Sequence, residues 1–381
     1  MFHSFCVISC YYANNFRYDQ KQNLEQYPGG GREFMGFNEN SVLVGTGRDP
    51  CVYEYLGAVR NSTDESASVI TSGGAKMVTP EEYMRVARCI RADIVVPMCD
   101  EVVADSKPSR IKTACRRTSE WVSRSLQIGC DDAIMLCPIP GGAEVGNRMA
   151  CFDGVKALVQ QYHGVCITGI GTGESFPQRM DIIKKVVENM TGHEDGKFRM
   201  VSTVSSPWEM LQMIALGVDA FDSSYISDTT RGGYALNFPL DPMGINLSLL
   251  NGTKGQIGSA TVQEEGGERV YDAGQDGTKM NLWSSSYKVD ARPIVQGCPC
   301  DTCCMHSRSY IHHLLVTHEM TGHVLLEQHN VLHMLQFMKA VRQVISDGRL
   351  KEYCGAWMEY QRLWATGVAE ICNAMAVQEN I

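Results

Sequence analysis

The chain has 381 residues, with 34 basic against 43 acidic side chains and a formal net charge of −9. That balance excludes a protein that coats nucleic acid unaided, because phosphate binding draws on clustered Lys and Arg. Apolar residues at 44% and charged residues at 20% give an ordinary globular profile, and a chain of this length builds a core without disulfide staples.

The opening MFHSFCVISCYY has no positive n-region, and Asn14, Asn15 and Arg17 soon end its apolar character, so no secretory signal is expected. The longest apolar runs, 93–99 and 133–139, fall far short of the ~20 residues that span a bilayer, so no integral membrane segment is expected. Beyond this start, short β-rich runs alternate with amphipathic stretches. Candidate strands cover 42–45, 68–71, 93–99, 133–139, 165–170, 199–204 and 220–225. Helix-like segments lie at 80–91, 108–127, 146–162, 178–190 and 207–216. Thr79 before Pro80 and Ser206 before Pro207 read as N-caps with Pro at the first helical position. In 178–190, Met180, Ile183, Val187 and Met190 fall at helical spacing and would cover one face.

Repeated β-α units predict parallel strands with crossover helices. Seven strands and one more would close a (β/α)8, TIM-like barrel; a doubly wound open sheet is the alternative. Residues 251–281 are rich in Gly and polar side chains and read as a long loop or hairpin insertion. Beyond them, 307–346 and 349–376 are expected to be helical. The organisation is thus a divergent N-terminal segment (1–34), a barrel (35–250), the polar insertion (251–281), and a metal-binding subdomain with C-terminal helices (282–381).

Of sixteen cysteines, Cys89, Cys99, Cys137 and Cys166 sit singly in apolar runs and read as buried small hydrophobes in a reducing compartment. One group is clustered: GCPCDTCC at 297–304. Cys298, Cys300 and Cys303 can bring three thiolates round one Zn²⁺, leaving Cys304 or a histidine for the fourth position. His306, His312, His313, His318, His323, His329 and His333 all compete for it. Three Cys and one His would leave no open position, so the zinc would be structural. The P-C-x-x-C fragment matches half of the zinc deaminase signature, but the chain contains no H-x-E.

In a barrel the chemistry belongs at the C-terminal ends of strands. Asp100, Glu101, Glu174 and Asp222 qualify, and two carboxylates on opposite faces of a sugar would suit glycosidic-bond chemistry. GIGTG at 169–173 and GHEDGK at 192–197 fit no phosphate or dinucleotide loop and read as turns. The one dense basic stretch, SRIKTACRRTSEWVSR at 109–124, reads as a solvated helix face.

GCPCDTC followed by SRSYIHHLLVTHEMTGHVLLEQHNVLHM resembles the zinc subdomain of tRNA-guanine transglycosylases. There, C-x-C-x-x-C is followed 26 residues later by the histidine of an H-N pair, which selects His329 here, followed by Asn330. SGG at 72–74, Asp100, GIGTGE at 169–174 and GVDAFDS at 217–223 are similar to the family's barrel motifs, whereas residues 1–34 diverge. The resemblance implies exchange of a guanine in tRNA for queuine or a precursor. It implies an Asp nucleophile at Asp222, a purine-reading Asp at Asp100, and an acid/base Asp directly before SGG, where this chain has Thr71. The family's glutamine-glycine loop is CPIPGG here (137–142), and its basic segment after the nucleophile is reduced to DTTRGGYAL (228–236).

A partly dismantled site on a retained scaffold resembles the non-catalytic branch of the family. The resemblance therefore implies no catalytic residue of its own, with Asp222 and Asp100 vestigial. It implies one structural Zn²⁺ on Cys298, Cys300, Cys303 and His329. It implies a heterodimer with a catalytic queuine tRNA-ribosyltransferase subunit, with tRNA bound through the complex and homodimers as an alternative assembly. Such proteins are expected in the cytoplasm, with some association at the mitochondrial outer membrane. The competing expectation is an active transglycosylase with Asp222 as nucleophile.

Overall fold

In the computed structural model, residues 7–8, 27–37, 42–47, 62–71, 74–130, 133–159, 161–190, 197–244 and 277–362 are described. The chain divides into two units, Met1–Tyr225 and Ile226–Ile381.

The first unit is built on one parallel sheet. Its strands are β1 (Val7–Ile8), β2 (Val42–Gly45), β5 (Ile94–Val95), β6 (Ile134–Ile139), β7 (Gly164–Ile167), β8 (Phe198–Val201) and β9 (Ala220–Phe221), and each pairs in parallel with the next. Helix α1 (Gly30–Phe34) precedes β2 and α2 (Pro80–Ile90) precedes β5; α3 (Pro108–Ile128), α4 (Val145–Val159), α5 (Phe176–Met190) and α6 (Pro207–Ala215) fill the successive gaps from β5 to β9, and α7 (Ser224–Arg231) follows β9. The strand order never reverses, which removes the doubly wound alternative, whose sheet turns back at a switch point. Val44, Ile94, Leu136, Cys166, Met200 and Ala220, one each from β2 and from β5 to β9, meet in a single buried cluster. That is the layered interior of a curled (β/α) half-barrel. Among the described residues no ladder joins β9 back to β1.

Two strand assignments change. Residues 68–71 belong to β3 (Ala67–Thr71), which forms an antiparallel hairpin with β4 (Gly74–Val78) outside the parallel sheet. The register Thr71↔Gly74 leaves two residues between the strands, too few for the crossover that a parallel neighbour needs. The edge strand that the sequence reading lacked is β1, inside the segment 1–34.

Helix starts follow their caps. Thr79 Oγ1 accepts from the Glu82 backbone N–H at 3.2 Å while Glu82 returns a carboxylate to the Thr79 N–H at 3.0 Å. Ser206 and Glu209 repeat the exchange at 3.3 and 2.7 Å, so both α2 and α6 begin on a capping box. Cys115 of α3 and Cys151 of α4 form a disulfide; Cys137 and Cys166 are buried as expected, whereas Cys89 and Cys99 are only partly buried.

The second unit pairs β10 (Tyr234–Leu236) antiparallel to β11 (Lys279–Asn281) and continues into α8 (Asp301–Met305), α9 (Arg308–Val316) and α10 (Met320–Ser346). The expected single helix over 307–346 is broken: His318 takes a left-handed φ of 57°, which ends α9 and lets Glu319 start α10. A further helical stretch covers 350–362, and the rest of the expected 349–376 helix lies outside the described residues. Of the Gly-rich stretch 251–281 only 277–281 are described. Among the described residues no helix is long and apolar enough to cross a membrane.

Candidate metal centre and strand-end site

Gly297, with φ of 78°, turns the chain into the cysteine cluster. Cys300 is the N-cap of α8, and its sulfur accepts the Cys303 backbone N–H at 3.2 Å. Opposite, α10 delivers His329, fully buried, with Nδ1 3.8, 3.5 and 3.3 Å from the sulfurs of Cys298, Cys300 and Cys303. The four ligand atoms lie within 4.8 Å of one another. A tetrahedral zinc with Zn–S of about 2.3 Å sets its sulfurs roughly 3.8 Å apart, so the group is of the right size and donor chemistry for a metal ion.

The partner of the other imidazole nitrogen fixes the tautomer. His329 Nε2 lies 2.8 Å from the Leu236 carbonyl, which can only accept, so Nε2 carries the proton and Nδ1 presents its lone pair to the sulfurs. Burial pushes the Cys303 thiol well above its ordinary range, with Cys298 and Cys300 acting in the same direction. A bound cation reverses this by stabilising the thiolate. Of the other candidate histidines, His312 Nδ1 and His333 Nε2 lie 2.9 and 3.0 Å from the Leu282 and Phe238 carbonyls, and His306, His313, His318 and His323 lie outside the group. Cys304 is exposed and outside the group.

In the first unit, Asp100, Glu174 and Asp222 are all buried beyond the ends of β5, β7 and β9. Asp222 accepts from Ser202 Oγ at 2.9 Å and from the Ser224 N–H at 3.0 Å. Glu174 accepts from the Gly171 and Thr172 N–H groups and from Arg179 Nε. Burial raises its pKa, but these donors outweigh it and hold the carboxyl below its ordinary value, so Glu174 fastens its own loop as an anion. Glu101 accepts from the Cys99 thiol at 3.7 Å.

Asp100 is the most heavily engaged. Arg110 grips it bidentately, Nη2 to Oδ1 at 2.7 Å and Nη1 to Oδ2 at 2.8 Å, and Arg117 adds Nη1 to Oδ2 at 3.2 Å. The basic stretch 109–124 is a partly solvated helix face laced with ion pairs, of which only those to Asp100 reach a buried carboxylate. Arg116 and Arg117 bind Asp64, and Arg124 binds Glu65 and Glu81. Arg110 and Arg117, seven residues apart on α3, are two helical turns apart on one face, a spacing that the sequence reading counted only as charge.

Arg148 was also missed, and no motif announces it. Fully buried, it donates to the carbonyls of Gly142, Ile139, Thr168 and Gly169 at 2.6–3.1 Å, tying the loops after β6 and β7 together. Burial lowers its pKa to about 10, partly offset by Glu174 and Glu101, so it stays charged at neutral pH. A Cβ at Gly141, where φ is 146°, would lie 2.7 Å from Arg148 Cγ, which is why glycine follows Pro140. Thr71 ends β3; its side chain, with Ser72 and Gly73, lies outside the described residues.

A family profile described as queuine tRNA-ribosyltransferase matches residues 6–362, nearly the whole chain and both sites. The chain belongs to the queuine tRNA-ribosyltransferase family. Within that family it is similar to proteins named queuine tRNA-ribosyltransferase accessory subunit 2. The one from Danio rerio is 27% identical over 350 residues, covering 87% of this chain and 80% of that protein. The one from Homo sapiens is 27% identical, covering 86% and 80%, and the one from Drosophila persimilis 28%, covering 82% and 69%.

Proposed function

We propose that this chain acts in queuosine modification of tRNA as the non-catalytic subunit of a heterodimeric queuine tRNA-ribosyltransferase. In this reading it supports exchange of guanine for queuine at the wobble position of GUN-anticodon tRNAs, and the catalytic partner performs the chemistry. The observation that carries the reading is Thr71, which stands where the family resemblance places the acid/base carboxylate. A hydroxyl with no accessible proton equilibrium near neutrality does not replace a carboxylate, and losing one acid/base group forfeits about 10²–10⁴-fold in rate. Similarity to the named accessory subunits supports the same reading.

Cys298, Cys300, Cys303 and His329 would hold one structural Zn²⁺ that fastens α8 and α10 of the second unit. A protein partner is supported by exposed Met305, Val316, Met320 and Val324 on that unit, the last two one helical turn apart. tRNA would be bound through the complex, since the arginines of α3 are already paired with carboxylates of this chain and its net charge is −9. Its proposed compartment is the cytoplasm, with some association at the mitochondrial outer membrane.

A second reading, an active transglycosylase with Asp222 as nucleophile, is favoured by one observation: Asp222 is retained at the end of β9 with two hydrogen-bond donors. Asp222→Asn in the assembled pair separates the two. Nearly unchanged guanine exchange is expected for the accessory subunit; abolished exchange would establish Asp222 as the nucleophile.

A further inference from the structure

Asp100 is 2% exposed, and both of its carboxylate oxygens are taken by a guanidinium fork. The fork presents two parallel N–H donors in a plane, the pattern to which a carboxylate is complementary. The N1–H and exocyclic 2-amino group of guanine present the same two donors along one edge. We propose that Arg110 is a built-in competitor for a guanine-type base, occupying the acceptors of Asp100 that such a base would use, and so decides that this chain does not take up the base. The inference rests on the family reading for the class of ligand, and on the ion-pair geometry for the occupant.

The surroundings assign the blocking role to Arg110 rather than to Arg117. Arg117 is only 15% exposed and is held at its other side by Asp64, so it is a fixed wall of the site. Arg110 is 31% exposed, sits in the first turn of α3, and has Asp100 as its carboxylate partner. It can swing toward solvent without disturbing a second pair. The Asp100 backbone N–H donates to Thr118 Oγ1 at 3.1 Å, which anchors the Asp100 main chain, and Arg117 still holds Oδ2 at 3.2 Å, whether or not Arg110 is there.

The test is equilibrium dialysis of radiolabelled guanine against the full chain, its R110A variant and the R110A/D100N double variant. Hypoxanthine, which lacks the 2-amino group, serves as the control base. Wild type is expected to bind guanine weakly or not at all. R110A should bind it about tenfold or more tightly, the scale of one charge-assisted competitor removed. The double variant should lose that gain, and hypoxanthine should profit little. R110Q, which keeps a polar side chain of similar reach but only one amide donor group, replaces R110A should that variant fail to fold. Folded R110A or R110Q with no gain over wild type would overturn the proposal, as would wild type binding guanine equally well. The outcome is separable from the functional reading. Base uptake by R110A with no exchange activity in the wild-type pair would remove the accessory role and keep the site. An active pair with no uptake by R110A would do the reverse.

Discussion

His329 is held from two directions: its Nε2 donates to the Leu236 carbonyl at 2.8 Å while its Nδ1 faces Cys303 Sγ at 3.3 Å. The carbonyl belongs to a strand 93 residues earlier, so the ligand is oriented before any ion arrives. The purified chain is expected to carry about one zinc, the content of a closed four-ligand site. Cys300→Ala should abolish metal content and melt the second unit, because a structural zinc site couples metal binding to folding. Metal analysis and far-UV circular dichroism on the same sample check both. A metal-free C300A protein with unchanged helicity would contradict the coupling.

Asn330 does comparable work without touching the cluster. Its carbonyl accepts the Leu236 N–H at 2.8 Å, and its amide donates to Thr230 Oγ1 and the Tyr234 carbonyl at 3.0 Å. Asn330→Ala leaves buried backbone groups of β10 unpaired and should cost about 2–4 kcal/mol in urea unfolding. Zinc content should stay unchanged, since no ligand is removed.

Asp290 supplies a pH dependence. Hydrogen bonds from the Arg292 side chain, and the charge of Arg308, lower its pKa from 3.8 to about 2. A carboxyl depressed in the folded state contributes stability above the unfolded value, and that contribution is lost as pH falls from about 4 through about 2. Asp290→Asn should lower stability by on the order of 1–2 kcal/mol at neutral pH, and by less as pH falls below about 4. Equal destabilisation at pH 6 and pH 2.5 would show that Asp290 acts otherwise.

The disulfide between Cys115 and Cys151 closes a 36-residue separation across α3 and α4. Reduction should lower stability by about 2–4 kcal/mol. Cys151→Ser should remove the difference between reducing and oxidising conditions, which denaturant midpoints with and without dithiothreitol measure.

Much of this architecture is legible in the sequence because it rests on local rules. Thr79-Pro80 and Ser206-Pro207 announce their helices through capping chemistry, and the β-α alternation yields a sequentially ordered parallel sheet. Cys298, Cys300 and Cys303 are close in the chain, so spacing alone proposes a metal. His329 needed the family resemblance, because its selection depends on how α10 crosses the cysteines. What stayed hidden depends on contacts distant in sequence. The 68–71 run is β-rich in a hairpin as in a barrel strand, and only pairing distinguishes them. Arg148 sits in a stretch with no motif, and its four carbonyl partners come from two separate loops. The ion pairs of the α3 arginines stayed hidden because their partners, Asp64, Glu65, Glu81 and Asp100, are scattered upstream.

Incorporation of labelled guanine into a GUN-anticodon tRNA should be measured for this chain alone, for a catalytic queuine tRNA-ribosyltransferase subunit alone and for the equimolar mixture. The accessory role predicts activity in the mixture and none for this chain alone. Turnover by this chain alone would contradict it, and would mean that another group, with Glu101 and Glu174 the first to examine, supplies the acid/base function missing at Thr71.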